Sequence, residues 1–287
     1  MKYNYLTPEL INQFIDNALQ EDVGEGDHSS LSAVPVESVR KARLLVKDDC
    51  ILAGVELATH IFGRVNPDLQ LTIAIGDGQE VRKGDIAFVV EGKAQSILTA
   101  ERLVLNCMQR MSAIATQTRK AAKALEGTKT KVLDTRKTTP NFRLMEKWAV
   151  KIGGGENHRF GLFDMIMLKD NHIDYAGGVR KAIEAAVSYR NKLGKDIGIE
   201  VETRNLAEVK EAIEVGNDDI QVIMLDNMSL AMMTEAVRLI NGKYLTEASG
   251  GLTIDDLPAV AACGVDFVSM GALTHSAKAV DLSLKAF

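Results

Sequence analysis

Short apolar strands alternate with amphipathic helices along the chain after Thr130. One of these helices, for example, places Val179, Ile183 and Ala186 at helical spacing. Repeated βα units of this length predict a parallel sheet, either open or closed into a barrel. The predicted strands are Lys131–Leu133, Met165–Leu168, Ile197–Val201, Ile220–Leu225, Tyr244–Leu245 and Phe267–Met270.

Polar and charged groups follow each of these strands. A (β/α) barrel builds its site from the loops after its strands, whereas an open doubly wound sheet builds its site mainly at the switch point. We therefore predict an α/β fold with an incomplete, TIM-like (β/α) barrel, because fewer than the usual eight strands are visible. The groups are Asp134–Lys137, Lys169–His172, Glu202–Arg204, Asp226–Asn227, Glu247–Gly251 and Gly271–His275.

The first part of the chain has a different pattern, in which β-rich runs are separated by glycine turns. Thr7-Pro8 predicts the start of a helix, Ile51–Phe62 a second helix, and Ser96–Glu126 one long helix. We predict an N-terminal α+β open sandwich domain at residues 1–112 and a (β/α) barrel domain that carries the site at 113–275. We expect the C-terminal tail, from about 276 to 287, to pack back on the first domain. The β-rich runs are Ala42–Lys47, Leu69–Ile75 and Ile86–Val90.

Composition narrows the class of protein. The net charge of −5 argues against a general nucleic-acid binder, which needs a basic face. Cys50, Cys107 and Cys263 are far apart and share no metal spacing, which indicates reduced thiols in a reducing compartment. The first ten residues lack the apolar core of a signal peptide, and no apolar run reaches the length of a membrane span. We therefore expect a cytoplasmic protein without membrane partners.

The stretch Leu133–Ile173 concentrates charge and special residues. It holds seven Lys and Arg against five acids, two of the five histidines, the only tryptophan and the run Gly153–Gly155, which a regular element would not easily tolerate. Basic side chains at strand ends bind anions, and arginine favours planar ones such as carboxylate or phosphate. The alternative is a solvated charged loop, which rarely combines all these features. The sequence favours an anion pocket.

Glycines follow the last two predicted strands. Ser249-Gly250-Gly251 and Gly271-Ala272 let main-chain N–H groups approach an anion closely. Barrels usually bind phosphate at this position. A pair of tight βα turns is the alternative, and the position of both loops favours phosphate.

Two carboxylates follow neighbouring strands. Glu202 and Asp226 are suited to hold Mg²⁺, usually through waters, or to bind sugar hydroxyls. Glu200 lies on the same face of its strand and is a competing candidate. A glycosidase pair is the alternative reading, but it leaves the basic cluster without a function. A substrate with a phosphate at one end and several carboxylates or a diphosphate at the other fits all three groups of residues.

The motifs resemble those of the quinolinate phosphoribosyltransferase family, also called carboxylating nicotinate-nucleotide pyrophosphorylase. The resemblance covers essentially the whole chain in order, and EDVGEGD and ERLVLN in the first part are similar too. It implies the transfer of phosphoribose from phosphoribosyl pyrophosphate to quinolinate, with loss of CO₂, in NAD synthesis. The matching segments are DTRKTTP, GGGENHRFGLFDMIMLKDNH, EVE, MLDN, EASGG and GALTHS.

The same resemblance implies roles for individual residues. Lys137, Glu202 and Asp226 would be catalytic, the two acids with Mg²⁺ between them, and Lys137 would lie between quinolinate and the diphosphate. Arg102 would reach the active site of a neighbouring subunit, which implies a homodimer with shared sites and leaves a larger homo-oligomer open. Quinolinate would bind to Arg102, Arg136, His158, Arg159 and Lys169, and the 5′-phosphate to Ser249, Gly250, Gly271 and His275.

Two other readings compete with this one. A molybdenum-transport-associated relative has similar motifs, and a non-catalytic paralogue would only bind nicotinate metabolites. The full cationic set argues against the first reading, and the presence of both Glu202 and Asp226 argues against the second. The common phosphoribosyltransferase signature, two acids before a Thr-Gly-Gly-Thr-type loop, is absent, as it is from the family resembled.

Overall fold

The computed structural model describes residues 5–287, which form two compact units. The parallel-sheet unit comprises Lys120–Lys137 and Gly155–Ala272, and the antiparallel-sheet unit comprises the described residues up to Arg119 with Thr138–Gly154 and Leu273–Phe287. Residues 1–4, part of the segment that lacks a signal-peptide pattern, lie outside the described residues. The domain boundary at residues 112 and 113 stays a prediction.

Strands and helices are numbered here in chain order. The strands are β1 (Val39–Val46), β2 (Cys50–Ile51), β3 (Gln70–Ile73), β4 (Glu80–Val81), β5 (Ile86–Lys93), β6 (Lys131–Leu133), β7 (Met165–Leu168), β8 (Gly198–Thr203), β9 (Val222–Asp226), β10 (Leu245–Ser249), β11 (Phe267–Ser269) and β12 (Leu282–Ala286). The helices are α1 (Pro8–Asp22), α2 (His28–Ala33), α3 (Val55–Val65), α4 (Ala94–Ala124), α5 (Arg143–Gly153), α6 (Asp170–Ala176), α7 (Val179–Leu193), α8 (Leu206–Gly216), α9 (Leu230–Ile240), α10 (Leu257–Ala262) and α11 (Ala272–His275).

The antiparallel-sheet unit is built on a four-stranded sheet in the order β12–β1–β5–β3. Along β1 the side chains of Ala42, Leu44 and Val46 are buried and their neighbours are more exposed, which is the period-two pattern of a sheet with one covered face. β12 pairs with β1 from Leu282 to Ala286, so the end of the chain forms an edge of this sheet. β2 and β4 form a separate antiparallel pair.

The glycine run in the basic stretch ends a helix of the antiparallel-sheet unit. Gly153 is the last residue of α5, and a Cβ atom there would come within 2.6 Å of the Ala115 carbonyl oxygen and the Thr118 side chain. Gly154 caps the helix with a left-handed φ of 97°. The run therefore lies where a regular element ends, and Gly153 allows α5 to pack closely against α4.

The parallel-sheet unit contains a six-stranded sheet in the order β6–β11–β10–β9–β8–β7. Every strand pair in it is parallel. β9 carries the run Val222–Leu225, which is buried throughout, as expected for a parallel strand that is covered on both faces. The predicted α/β fold, with a small α+β part and an incomplete parallel barrel of fewer than eight strands, is confirmed.

Several helix N-caps in both units are residue types that are preferred at this position. Thr7 caps α1, Asn205 caps α8 and Ser229 caps α9, each through a side-chain oxygen that accepts from the first helical turn. Within residues 5–287, none of the helices combines the length and the apolar character that crossing a lipid bilayer requires.

Some predicted boundaries are wrong. The predicted helix Ile51–Phe62 begins only at Val55, because Cys50 and Ile51 pair with β4. The predicted strand Tyr244–Leu245 is instead β10, Leu245–Ser249, and β8 extends to Thr203. Glu202 and Glu247 therefore lie inside strands, although the sequence placed them after strand ends.

Candidate active site

The parallel strands end at one edge of their sheet and place five candidate site residues there. The register pairs Asp226 at the end of β9 with Ser249 at the end of β10. Glu202 is the second-last residue of β8 and pairs with Met224 of β9. Lys169 directly follows β7, and Gly271 lies two residues after β11. The carboxyl edge of a parallel sheet is where such folds bind ligands.

Glu202 is buried and lies beside a cation. Its Oε2 is 3.8 Å from Nζ of Lys169, and its Oε1 accepts a hydrogen bond from the main-chain N–H of Asp170 over 3.3 Å. Burial raises the pKa of the Glu202 carboxyl; Lys169 opposes this shift, and the charge of Asp226 adds to it. The two acids therefore repel each other electrostatically, as carboxylates that share a cation do before the cation binds.

Asp226 is oriented by the residue that follows it. Asn227 adopts the left-handed conformation with φ of 53°, which Asn tolerates better than most residues. Its Nδ2 donates to Oδ2 of Asp226 over 2.7 Å, and its main-chain N–H donates to the Ser249 carbonyl over 2.9 Å. Gly250, with φ of 109°, lies so close that a Cβ atom there would overlap the Asn227 amide. Asn227 thus links the acid to the glycine loop.

Asp134 fixes the segment that carries His158. The fully buried Asp134 carboxylate accepts from the main-chain N–H of His158 over 2.9 Å and from the side chain of Asn157. Main-chain bonds between Glu156 and β6 hold the same segment along that strand. The loop after β6 and the loop that contains Arg159 are therefore bound to each other.

Two guanidinium groups of the parallel-sheet unit lie near each other. Arg159 is buried, and burial followed by the positive charge of Arg136 lowers its pKa, although Glu200 and Asp164 oppose the shift. Arg136 is half-buried and Lys137 is exposed. Neighbouring cations of this kind are stabilised by an anion placed between them, and a planar carboxylate suits two arginines.

A buried cluster of one histidine and two acids lies next to Arg159. His158 Nε2 is 2.9 Å from Oε2 of Glu200 and 3.4 Å from Oε2 of Glu247. All three side chains are buried. Burial raises the pKa of the Glu200 carboxyl to about 7, and the charge of Glu247 adds to the rise. Burial lowers the pKa of His158, but the charges of Glu247 and Glu200 outweigh burial and raise the pKa to about 10, so the cluster retains a proton near neutral pH.

This cluster is poorly suited to hold a metal ion. Among residues 5–287 it is the one group of three close histidine or acid ligands. The main-chain N–H of Arg159, however, donates to Nδ1 of His158 over 2.7 Å. Nδ1 must then be the unprotonated nitrogen, and Nε2 carries the proton that a metal ion would have to displace. Glu200, the competing metal candidate, therefore faces His158.

Sequence reasoning gave no role to Glu247. An acid at a buried strand position is rare unless it is paired, and Glu247 in β10 and Glu200 in β8 both occupy such positions. This signal was present in the sequence, but the histidine that pairs with both acids lies on a distant loop.

Arg102 and His275 belong to the antiparallel-sheet unit. Arg102 is an exposed residue of α4, and His275 is exposed at the end of α11. Arg110 holds the segment on both sides of His275, since its guanidinium donates to the carbonyls of Thr274 over 2.6 Å and Ala277 over 2.9 Å. The same guanidinium is paired with the fully buried Glu146 at 2.8 Å. His275 is thus presented by a rigid loop.

Comparison with known proteins identifies the family. The family model described as quinolinate phosphoribosyl transferase, C-terminal domain, matches residues 114–285, and the N-terminal domain of the same family matches residues 27–112. A decarboxylating quinolinate phosphoribosyltransferase of Nicotiana tabacum is 48% identical over 94% of this chain and 81% of the relative. A probable carboxylating nicotinate-nucleotide pyrophosphorylase of Bacillus subtilis is 40% identical over 96% of this chain and 92% of the relative.

Solved structures agree with the sequence relatives. The crystal structure of NadC from Streptococcus pyogenes superposes with a TM-score of 0.90 at 40% identity, and the match covers 99% of this chain and 98% of that one. Both family domains match in order, and together they cover most of the chain. The chain therefore belongs to the quinolinate phosphoribosyltransferase family.

Proposed function

We propose that this enzyme transfers the phosphoribosyl group of phosphoribosyl pyrophosphate to quinolinate with decarboxylation. The products are nicotinate mononucleotide, pyrophosphate and CO₂, in de novo NAD biosynthesis. Family membership supports the reaction. The observation that carries it is the pair of guanidinium groups of Arg136 and Arg159, which repel each other in the unit that also carries Lys169. A pyridine dicarboxylate supplies the planar anions that such a pocket needs.

The substrates would occupy opposite parts of the site. In this proposal Arg136, Arg159 and Lys169 bind the carboxylates of quinolinate, with His158 as part of the same pocket and Arg102 contributed by a neighbouring subunit. Lys137 lies between quinolinate and the diphosphate and stabilises the charge that develops there. The 5′-phosphate binds at Ser249, Gly250, Gly271 and His275.

The donor set of Glu202 and Asp226 fits Mg²⁺. Mg²⁺ binds oxygen ligands and is usually held by one or two carboxylates together with substrate phosphates and water. Both residues offer carboxylate oxygens on neighbouring strands. Burial raises the pKa of Glu202 and the charge of Asp226 adds to the rise, so a divalent cation would relieve their repulsion. When bound, the ion neutralises charge on the diphosphate and so helps its departure.

The chain's own residues act mainly by placement and by charge. The pocket aligns the quinolinate nitrogen with C1 of the ribose, and C–N bond formation accompanies departure of pyrophosphate through an oxocarbenium-like transition state. Lys137 and the neighbouring cations stabilise the leaving diphosphate. The pyridinium then draws the electron pair of the C2–carboxylate bond as CO₂ leaves, and C2 takes up a proton. This last step needs no strong base from the protein.

We further propose a homodimer, whose shared sites would explain why Arg102 is an exposed residue of a long helix. Larger homo-oligomers are compatible with this arrangement. A cytoplasmic location is also proposed, since Cys50, Cys107 and Cys263 are free, buried thiols that suit a reducing compartment.

The reaction is tested by release of labelled CO₂ from quinolinate that carries the label in its 2-carboxylate. We expect release only when the enzyme, phosphoribosyl pyrophosphate and Mg²⁺ are all present. Nicotinate, which has no 2-carboxylate to release, is the substrate control; it is followed by formation of nicotinate mononucleotide, and it should be a poor acceptor because it lacks the second carboxylate. A folded, dimeric protein that releases no CO₂ would contradict the proposal and would favour the molybdenum-associated or the non-catalytic reading.

A further inference from the structure

Two buried acids of the parallel-sheet unit have no place in the proposed chemistry. Glu200 on β8 has no exposed surface and Glu247 on β10 is 1% exposed. Within residues 5–287, both Oε atoms of Glu200 and Oε1 of Glu247 accept no well-aligned hydrogen bond. Buried carboxylates lower stability unless they are paired. The imidazole of His158 lies within 3.4 Å of both acids.

The hydrogen bonds of His158 define where its proton lies. A main-chain N–H can only donate, so the 2.7 Å bond from Arg159 N–H to Nδ1 requires a lone pair on Nδ1. Nε2 then carries the proton and lies 2.9 Å from Oε2 of Glu200 and 3.4 Å from Oε2 of Glu247. The acids thus select one orientation and one tautomer of the ring.

The same ring fixes Arg159 at its main chain. Arg159 is held at its N–H by Nδ1 of His158, and its Nη1 donates to the carbonyl of Met165 on β7 over 3.2 Å. A residue held at its main chain and at the tip of its side chain has few rotamers left to lose when it binds an anion. If the ring turned over, Nδ1 would no longer accept from Arg159, and the main-chain N–H of a buried residue would lose its partner.

We propose that Glu200 and Glu247 are positioning residues, which act through the imidazole of His158 to hold Arg159 in the orientation that receives a carboxylate of quinolinate. The inference deepens the proposed function and rests on it for the identity of the anion. It assigns neither acid to substrate or to metal. The chain from carboxylate to imidazole to main-chain N–H to guanidinium lies wholly within the parallel-sheet unit.

The first experiment reads the tautomer in the unaltered, ligand-free enzyme. Two-bond ¹⁵N–¹H spectra of histidine-labelled protein distinguish the Nε2–H tautomer, the Nδ1–H tautomer and the imidazolium. The chain has five histidines, so His158→Gln identifies the signal of His158. We expect a proton on Nε2 and none on Nδ1 at pH 7.5, because the main-chain N–H of Arg159 already donates to Nδ1, and a proton on Nδ1 would overturn the proposal. This result does not depend on which substrate the enzyme uses.

The second experiment compares substitutions of Glu247. In Glu247→Leu the acceptor is lost at similar volume, and we expect the KM for quinolinate to rise about tenfold or more, which is the size of a lost hydrogen bond to a charged group. The KM for phosphoribosyl pyrophosphate should change less than about twofold, since the side chain of Glu247 lies beside His158 and not among its proposed ligands. Glu247→Gln keeps an oxygen that accepts from Nε2–H and should restore most of the quinolinate affinity.

Asp266→Asn is the matched control. Asp266 is an acid of the same unit that accepts from Lys129 and Thr246 and contacts neither His158 nor Arg159 through a hydrogen bond. It should lower stability and leave the KM for quinolinate unchanged. An unchanged KM in Glu247→Leu, or equal changes in both KM values, would contradict a positioning role. If Glu247→Leu fails to fold, the tautomer spectrum of the unaltered enzyme decides: a proton on Nε2 alone supports the proposal, and a proton on Nδ1 contradicts it.

A failure of the proposed function would look different. In that case the unaltered enzyme would release no CO₂ from quinolinate, while the tautomer spectrum would still show whether the acids hold the ring of His158.

Discussion

The side-chain amide of Asn227 donates a hydrogen bond to Oδ2 of Asp226 over 2.7 Å. Because Asn227 also bonds through its main chain to Ser249 and crowds Gly250, one residue sets the direction of the carboxylate and of the glycine loop. In the proposed function these are a magnesium ligand and the phosphate site. A bond of this kind fixes which oxygen of Asp226 faces a cation.

Asn227→Gly should weaken Mg²⁺ use while the backbone conformation is kept, since Gly adopts a φ of 53° without strain. We expect the half-saturating Mg²⁺ concentration to rise about tenfold, as for other losses of a partner that orients a metal ligand. Asn241→Gly is the control, because Asn241 also has a left-handed φ, of 47°, and only caps α9. Equal Mg²⁺ requirements in the two variants would count against this role of Asn227.

Arg136→Ala should leave the fold intact and lower kcat/KM for quinolinate by about 10- to 100-fold, the range of one lost charge-assisted hydrogen bond. The physical reason is the loss of one of the two guanidinium groups that repel each other in the free enzyme. Arg180→Ala removes an exposed arginine paired with Glu214 and should have no such effect. Normal kinetics with quinolinate in Arg136→Ala would remove Arg136 from the carboxylate pocket.

Chelation of divalent cations should stop turnover without removing quinolinate from its pocket. The proposed magnesium ligands Glu202 and Asp226 are distinct from the arginines that bind the carboxylates, so calorimetry with excess EDTA should still detect quinolinate binding. Added Mg²⁺ should restore CO₂ release. Full turnover in the presence of the chelator would show that the two acids have another task.

Asp266→Asn should lower the free energy of unfolding by about 1 kcal/mol at pH 7 and by less in acid. Burial raises the pKa of Asp266, but hydrogen bonds from Lys129 and Thr246 outweigh it, so the folded pKa is lowered. Such a carboxylate contributes stability above its ordinary pKa of about 4, and the contribution is lost as the pH falls through the lowered value. Urea unfolding of both proteins from pH 7 to pH 3 measures the difference, which should shrink with falling pH.

Several strand limits could be predicted from the sequence because polar residues directly follow the strands. β6 and β7 have the predicted limits, Lys131–Leu133 and Met165–Leu168. The start of α3 could not be predicted, since Cys50 pairs with Val81, a residue far along the chain. Local pattern carries no information about such a partner, and the apolar residues before Val55 fit a helix equally well.

One part of the candidate site could be predicted from the sequence, and another part could not. Acids and bases at strand ends could be predicted, because the carboxyl edge of a parallel sheet collects them. The pairing of His158 with Glu200 and Glu247 could not, because it depends on strand order and on which face of each strand is turned inward. The order β10–β9–β8 places one strand between the two acids, and only the folded register brings them to one histidine.

A shared active site predicts recovery of activity between two defective variants. Arg102→Ala would damage the partner's site, whereas Arg136→Ala would damage the site of its own subunit. After subunit exchange in an equal mixture, half of the dimers would be mixed, and each would hold one site with both arginines. We expect recovery to about one quarter of the activity of the unaltered enzyme.

The control for this recovery is a mixture of Arg136→Ala with Lys169→Ala. Both residues lie in the parallel-sheet unit and would serve the site of their own subunit, so every site in a mixed dimer would keep one defect. That mixture should stay inactive, whereas the mixture with Arg102→Ala should gain activity as exchange proceeds. Exchange is followed by native mass spectrometry of differently tagged subunits. The two mixtures differ only in that Arg102 would serve the site of the partner subunit. If mixed dimers form and neither mixture gains activity, Arg102 does not reach a neighbour's site.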